Sequence, residues 1–388
     1  MSMITKQQAE AFGAIGTPFY FYDMDLLRRT LAEFQAQARH YGYRGHYALK
    51  ANAEPRILEA ICEAGLGADC VSGGEVALAL KSGFAPEDIV MAGVGKTDRE
   101  ILTALEARIG CLNCESVPEL KVVNDLAAGL GLKARIALRV NPGVDAHTHS
   151  YISTGLTENK FGIGPNAFQE VVDLLPHCPA LELIGLHVHV GSQITEMPVF
   201  ARTCRKLGEI QLWFHGQGIE FQHLDLGGGL GVNYQDPEAE PVPDFKAWFE
   251  TISRNLPVRP GQVVHVEPGR SLTAQCGHLV SRVTYVKAGR DRQFAILDAG
   301  MNDLIRPALY QASHSIENLS SEEPAASYDI VGPVCESSDC WAHQHKIAAC
   351  HRGDLLAIHS AGAYGQTMAM HYNQREPAPA VYSEDLKI

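Results

Sequence analysis

The 388-residue chain predicts a (β/α)8 TIM-like barrel with a second, mostly antiparallel β domain. Three observations carry that reading. Short apolar runs rich in β-branched residues alternate with longer helical patterns through the first two-thirds of the chain. After Arg270, strand patterns follow one another without long intervening helices. Residues able to do chemistry fall at the C-terminal ends of the early strands, where barrels place their active sites.

The eight barrel strands are read at Gly45–Leu49, Gly67–Val71, Asp88–Met91, Cys111–Asn113, Ala134–Val140, Leu183–Val190, Phe221–Leu226 and Val263–Val266. Helices such as Thr97–Ala107 and Pro118–Leu130 lie between them. The second of these opens with Ser116-Val117-Pro118-Glu119, a capping box with proline in the first turn. A doubly wound open sheet competes with the barrel, but the count of eight and the absence of an early G-x-G-x-x-G oppose it. Strands at Leu279–Lys287, Gln293–Leu297, Ser327–Val331, Lys346–Cys350 and Leu355–His359 build the β domain, and Phe19–Tyr22 joins it. The expected division is therefore a barrel over 25–268 and a β domain from 1–24 and 269–388. The stretch 141–164 is long for a loop in a compact domain, which points to function.

Bulk properties narrow the classes. A composition 46% hydrophobic and 20% charged is that of a globular protein. A net charge of −13 opposes nucleic acid or an anionic membrane as partner. No apolar run reaches membrane-spanning length and the first residues lack a signal-peptide core, so the expected location is cytoplasmic. The ten cysteines show neither metal-finger nor disulfide-framework spacing.

Lys50 ends strand one, Asp69 and Ser72 close strand two, and Arg139 lies near the end of strand five. His187 and His189 end strand six, Gly227-Gly228-Gly229 follows strand seven, and Glu267-Pro268-Gly269-Arg270 follows strand eight. Each has a bland reading: a solvated rim lysine, a tight glycine turn, a rim carboxylate paired with Arg270. Each also has a chemical one. A neutral lysine amine forms a Schiff base with an aldehyde cofactor, a glycine turn lets backbone N–H groups approach a phosphate, and a carboxylate favours protonation of a ring nitrogen. A metallohydrolase is the rival from another class, with the H-x-H strand as zinc ligands and His147, His149 and Asp225 recruited to it. That rival gives Lys50, the glycine triplet and the second domain no task.

Taken together, Tyr47-Ala48-Leu49-Lys50-Ala51-Asn52, His187-Val188-His189-Val190-Gly191-Ser192-Gln193, Gly227–Gly229 and Glu267–Arg270 resemble the fold type III, alanine-racemase-like decarboxylases that use pyridoxal 5'-phosphate. Further segments resemble the diaminopimelate decarboxylase family within that group: Arg139–Val144, Thr154-Gly155-Leu156, Lys160-Phe161-Gly162, Arg306–Tyr310, Cys335-Glu336-Ser337 and Gly362–Gly365. The motifs run in order from about Pro18 to Tyr382, nearly the whole chain.

The resemblance implies that Lys50 holds pyridoxal phosphate covalently, that His189 stacks on the ring and that Glu267 pairs with the pyridine nitrogen. Asp69, Arg139, Gly269 and Arg270 complete the cofactor's surroundings, and Ser192, Gly227, Gly228, Gly229 and Tyr364 hold its phosphate. Arg270, Arg306 and Tyr310, with Tyr364, grip a distal carboxylate, and Glu336 takes a distal ammonium. Cys335 enters from the other subunit of a homodimer and protonates the carbanion. No metal is implied. The expected reaction converts meso-2,6-diaminopimelate to L-lysine and CO2. The alternatives are a relative acting on ornithine, arginine or carboxynorspermidine, and a non-catalytic pyridoxal-phosphate carrier. Ser338 and Cys340 depart from the family pattern, which leaves the conformation of that loop open.

Overall fold

A computed structural model describes residues 3–144 and 160–387. His147, His149 and Thr154-Gly155-Leu156 lie outside the described residues, as does most of the 141–164 stretch.

Eight parallel strands close into a barrel: Arg44–Ala48, Gly67–Cys70, Ile89–Met91, Cys111–Cys114, Ala134–Arg139, Leu181–His187, His223–Asp225 and Val263–Val266. The last strand closes the ring on the first, pairing His265 with Arg44 and Val266 with Gly45. The strands are short, as barrel strands buried on both faces are, and each of the last three or four residues of most of them is buried. The sixth strand ends at His187, three residues earlier than its apolar pattern suggests, because the chain turns away through Gly191 (φ 148°) and Gln193 (φ 60°).

The helix at Asp98–Ala107 carries a complete capping box between Thr97 and Glu100. At Ser116 only half of the expected box forms. The serine side chain accepts from the Glu119 N–H, but the Glu119 carboxylate accepts from the Glu115 N–H and pairs with Lys96 at 2.6 Å instead. A buried ammonium, 1% exposed, draws the glutamate away from the cap.

The second unit is an eight-stranded mixed sheet. Its long strand Gly277–Ala288 pairs antiparallel with Phe19–Tyr22, Gln293–Leu297 and Leu355–Ile358. Two strands of three residues, Ile316–Asn318 and Ala380–Tyr382, were too short to stand out in the sequence. Cys340–Ala348 begins six residues before the strand expected there, because its first half is polar and bulged at Gln344 (φ 48°). Around Phe19 and Phe21 an aromatic core forms with Phe12, at ring separations of 5.3 and 4.8 Å.

Compact packing divides the chain into residues 31–231 with 244–269, and residues 1–30 with 232–243 and 270–388. Residues 232–243 thus belong with the β unit and not with the barrel, where the sequence reading kept them. Their bonds show why: the Tyr234 carbonyl accepts from the Ser315 N–H at 3.1 Å, and the Gln275 amide donates to the Asn233 and Glu240 carbonyls.

Candidate active site

In the barrel unit, Lys50 stands in a single 3-10 turn, Leu49–Ala51, directly after the first strand. The local sequence fixes that turn. The Tyr47 hydroxyl donates to the Asn52 carbonyl at 2.9 Å, and the Asn52 side chain accepts from the Glu54 N–H, starting the helix Pro55–Glu63. Gly269 is required opposite it, since a Cβ there would press against the side chains of Ala48 and Ala51 at 3.1 Å. The lysine side chain is 37% exposed, and its Nζ lies 3.5 Å from Asp69 Oδ2. Burial and the charge of Glu267 push the Asp69 carboxyl up to about 8, against the pull of Lys50.

Glu267 is buried, so it is not a rim carboxylate. Its Oε2 meets His187 Nε2 at 3.1 Å, while Oε1 is buried without a partner. Burial opposes its ionisation, but His187 and then Lys50 outweigh that and hold the carboxyl below the usual range. Asp225 moves the other way: burial and the neighbouring Glu267 charge keep it protonated well above its ordinary value. His187, Asp225 and Glu267 offer ligand atoms within 4.8 Å of one another. A protonated acid is a poor metal ligand, and Asp225 Oδ1 already accepts from the Gly227 N–H at 2.8 Å.

His189 does not join that cluster. Its Nδ1 accepts from the Gly228 N–H at 3.2 Å. Burial, then the charges of Lys50 and Arg139, hold its pKa well below the ordinary value. The ring is therefore neutral, with its proton on Nε2. Gly228 itself packs so closely that a Cβ would lie 2.0 Å from the Glu267 carbonyl. Two of the three N–H groups in the glycine triplet are thus used within the protein, and Gly229 is the member whose N–H takes part in neither bond.

Arg139 is drawn inward. Its guanidinium pairs with Glu115 at 2.6 Å and lies 4.7 Å from the Phe161 ring centre. Glu115 also accepts from the Gly93 and Gly162 N–H groups. Sequence reasoning missed Glu115, which follows a strand without any motif of its own. Ser72 caps the helix Gly73–Lys81 by accepting from the Glu75 N–H.

In the β unit, Arg270 and Arg306 are 6% and 5% exposed. Arg270 Nη1 donates to the Tyr234 hydroxyl at 2.6 Å and lies over the Tyr364 ring at 4.7 Å. Arg306 lies over the Tyr234 ring at 4.4 Å and donates to His314 Nε2 at 2.8 Å. Burial, then the Arg306 charge, pulls the His314 pKa down to about 3, so that ring accepts as a neutral base. Among the described residues no carboxylate acts on Arg306, and its Nε is buried without a bond. Tyr310 ends the helix that Arg306 begins and is half-buried. Tyr234 and His314 carry no sequence signal that marks them as partners of these arginines.

Cys335 is exposed, with its N–H held by Asn373 Oδ1 at 3.1 Å. Glu336 accepts from the Tyr372 hydroxyl at 2.5 Å. The loop is organised by Asp339, whose two oxygens accept from the Val334 and Met301 N–H groups at 2.7 Å. Ser338 lies outside the left-handed region, so the loop conformation makes no demand for glycine there.

Residues 25–274 match the family model described as pyridoxal-dependent decarboxylase, pyridoxal binding domain. The chain is 50% identical to diaminopimelate decarboxylase of Bacteroides thetaiotaomicron, covering 97% of each. It is 42% identical to diaminopimelate decarboxylase of Neisseria meningitidis serogroup A over 96% of this chain and 90% of the relative. The crystal structure of diaminopimelate decarboxylase from Helicobacter pylori complexed with L-lysine superposes with a TM-score of 0.91 at 39% identity, over 97% of this chain and 94% of that one. The chain belongs to the pyridoxal-dependent decarboxylases, in the diaminopimelate decarboxylase family.

Proposed function

We propose that the protein decarboxylates meso-2,6-diaminopimelate at its D centre, releasing CO2 and L-lysine. The observation that carries the substrate choice is the pair of buried guanidiniums, Arg270 and Arg306, held among Tyr234, Tyr364 and His314. Ornithine, lysine and arginine have no second carboxylate to repay the burial of two cations.

The barrel residues fit pyridoxal phosphate. Glu267 is a buried carboxyl held ionised, which suits a protonated ring nitrogen. Lys50 supplies the amine, His189 a neutral ring face, and Gly229 with Ser192 lie on the turns assigned to the phosphate. When bound, the cofactor supplies an electron sink for the pair left by departing CO2.

The chain's own residues do the rest. Glu267, fixed by His187, keeps negative charge where a ring proton is needed. Asp69, its carboxyl pushed up to about 8, lies 3.5 Å from Lys50 Nζ and holds a proton beside the amine. The arginine pair orients substrate by its distal carboxylate through forked hydrogen bonds. Glu336 accepts the distal ammonium, and Cys335 delivers a proton from its thiol. The protein works as a cytoplasmic homodimer with shared sites, Cys335 serving the partner's. In support of solubility, no helix among the described residues is long and apolar enough to cross a membrane.

The test is CO2 release from purified, cofactor-loaded protein offered meso-diaminopimelate, L-ornithine, L-arginine and L-lysine separately. Rapid release from diaminopimelate alone, with lysine as product, is the expected result. Release from another of the four sinks the assignment of the distal grip.

A further inference from the structure

Barrels do their chemistry at the C-terminal ends of their strands, and the opposite end is ordinarily filled by packed apolar layers. Here the N-terminal end holds a cavity of about 160 Å³ whose apolar wall, Val90, Cys111, Ala137 and Ile184 among it, is interrupted by polar and ionisable side chains. Three of its residues form a chain: His46 Nδ1 reaches the Asp88 carbonyl at 3.0 Å, His46 Nε2 meets His265 Nδ1 at 2.9 Å, and His265 Nε2 meets His223 Nδ1 at 2.8 Å. Burial lowers the pKa of all three, so the rings are neutral.

Neutrality fixes every proton in the chain. A carbonyl only accepts, so His46 donates from Nδ1 and accepts at Nε2. His265 then donates from Nδ1, and His223 donates from Nδ1 to His265 Nε2. What remains is His223 Nε2, an acceptor on a half-buried ring. Asn113 supplies the complement. It is 1% exposed, its Oδ1 takes a weak bond from the Cys111 thiol at 3.7 Å, and its Nδ2 is a buried donor with no partner. An unmet buried donor of this kind is destabilising unless something fills it. Arg44 and Arg135 border the same cavity.

We propose that this cavity is a second binding site, for a small oxyanion that also carries a donor hydrogen, such as hydrogen phosphate or a short hydroxycarboxylate. The oxyanion meets Asn113 Nδ2 and the two guanidiniums, and its hydrogen meets His223 Nε2. Glu87 and Asp88 also border the cavity and oppose any anion, and chloride has no hydrogen to offer His223 Nε2 in compensation. A cavity of this size holds a molecule of roughly benzene's bulk, which bounds the ligand at about six heavy atoms. Asp225 lines the same cavity and approaches Glu267, so occupancy is felt at the acid cluster of the cofactor site.

The experiment measures the Tm of cofactor-saturated protein with hydrogen phosphate, L-lactate or chloride at equal ionic strength. It is repeated on the Arg44→Gln/Arg135→Gln double variant, whose positions lie at the solvent-accessible edge. At tenfold saturation either oxyanion is expected to raise Tm by about 2 °C while chloride does not. In the double variant the apparent affinity falls at least tenfold, with decarboxylation of the natural substrate unchanged. Whichever probe gives the shift identifies the ligand class. No shift with either oxyanion overturns the proposal, as does a shift that survives in the double variant.

Discussion

The backbone N–H of Gly228 donates to Nδ1 of His189 across 3.2 Å, while the same residue packs against the Glu267 carbonyl. One glycine therefore sets both the tautomer of the histidine and the spacing between the ends of strands seven and eight. Gly228→Ala puts a Cβ 2.0 Å from that carbonyl. The expected outcome is a loss of about 1–3 kcal/mol of stability, with cofactor affinity reduced at least tenfold. Urea unfolding and titration of apoprotein with pyridoxal phosphate check both parts. Unchanged affinity in a folded variant sinks the positioning role.

Asp69 predicts a pH dependence of unusual sign. Its carboxyl is pushed up to about 8 in the folded protein, above its unfolded value of about 3.9. Between those values the folded state holds a proton that the unfolded state has released. The contribution of Asp69 to stability is thus fully present below pH 4 and falls as pH rises towards 8. Asp69→Asn keeps the shape of the neutral acid and removes the titration. Apoprotein carrying it is expected to be more stable than wild type at pH 8, with the difference shrinking as pH falls and vanishing near pH 4. Equal pH profiles for the two proteins count against a raised Asp69.

The fold and the chemical residues were unequally legible. Strand–helix alternation marked all eight barrel strands, because strands buried on both faces are written as apolar runs. Lys50, Glu267 and the glycine triplet stood out because they interrupt such runs at their ends. Glu115, Tyr234 and His314 did not, since each matters only through a partner distant in sequence: Arg139, Arg270 or Arg306. Residues 232–243 were misplaced for the same reason. Nothing in their own pattern shows that Tyr234 hydrogen bonds to Ser315. The two three-residue strands lacked the length over which a period is measurable.

Arg306 offers the sharpest test of substrate selectivity. It is buried, with an imidazole and a phenol ring for company and no carboxylate among the described residues. Arg306→Ala is expected to lower kcat/KM for diaminopimelate at least 100-fold, chiefly through KM, because a charge-assisted forked contact is lost. Arg306→Lys keeps charge without the fork and recovers only part of the loss. A variant that decarboxylates diaminopimelate at the wild-type rate refutes the distal grip.

Asp339 decides whether Cys335 and Glu336 are presented at all. Its carboxylate accepts from the Val334 and Met301 N–H groups at 2.7 Å, and the Glu336 carbonyl accepts from the Asp339 N–H at 3.1 Å. Burial works against its ionisation, and those two bonds work for it, leaving the carboxyl raised above its ordinary value. Removing the side chain strands two backbone donors, at about 1–3 kcal/mol each. Asp339→Ala is therefore expected to loosen the loop and lower kcat at least tenfold while cofactor affinity stays constant. Asp339→Asn, which retains one acceptor, restores part of the rate. Thiol labelling gives an independent readout: Cys335 is already exposed, so a looser loop raises its alkylation rate in the alanine variant above both wild type and the asparagine variant. If labelling and kcat are both unchanged in Asp339→Ala, the loop holds its shape by other means.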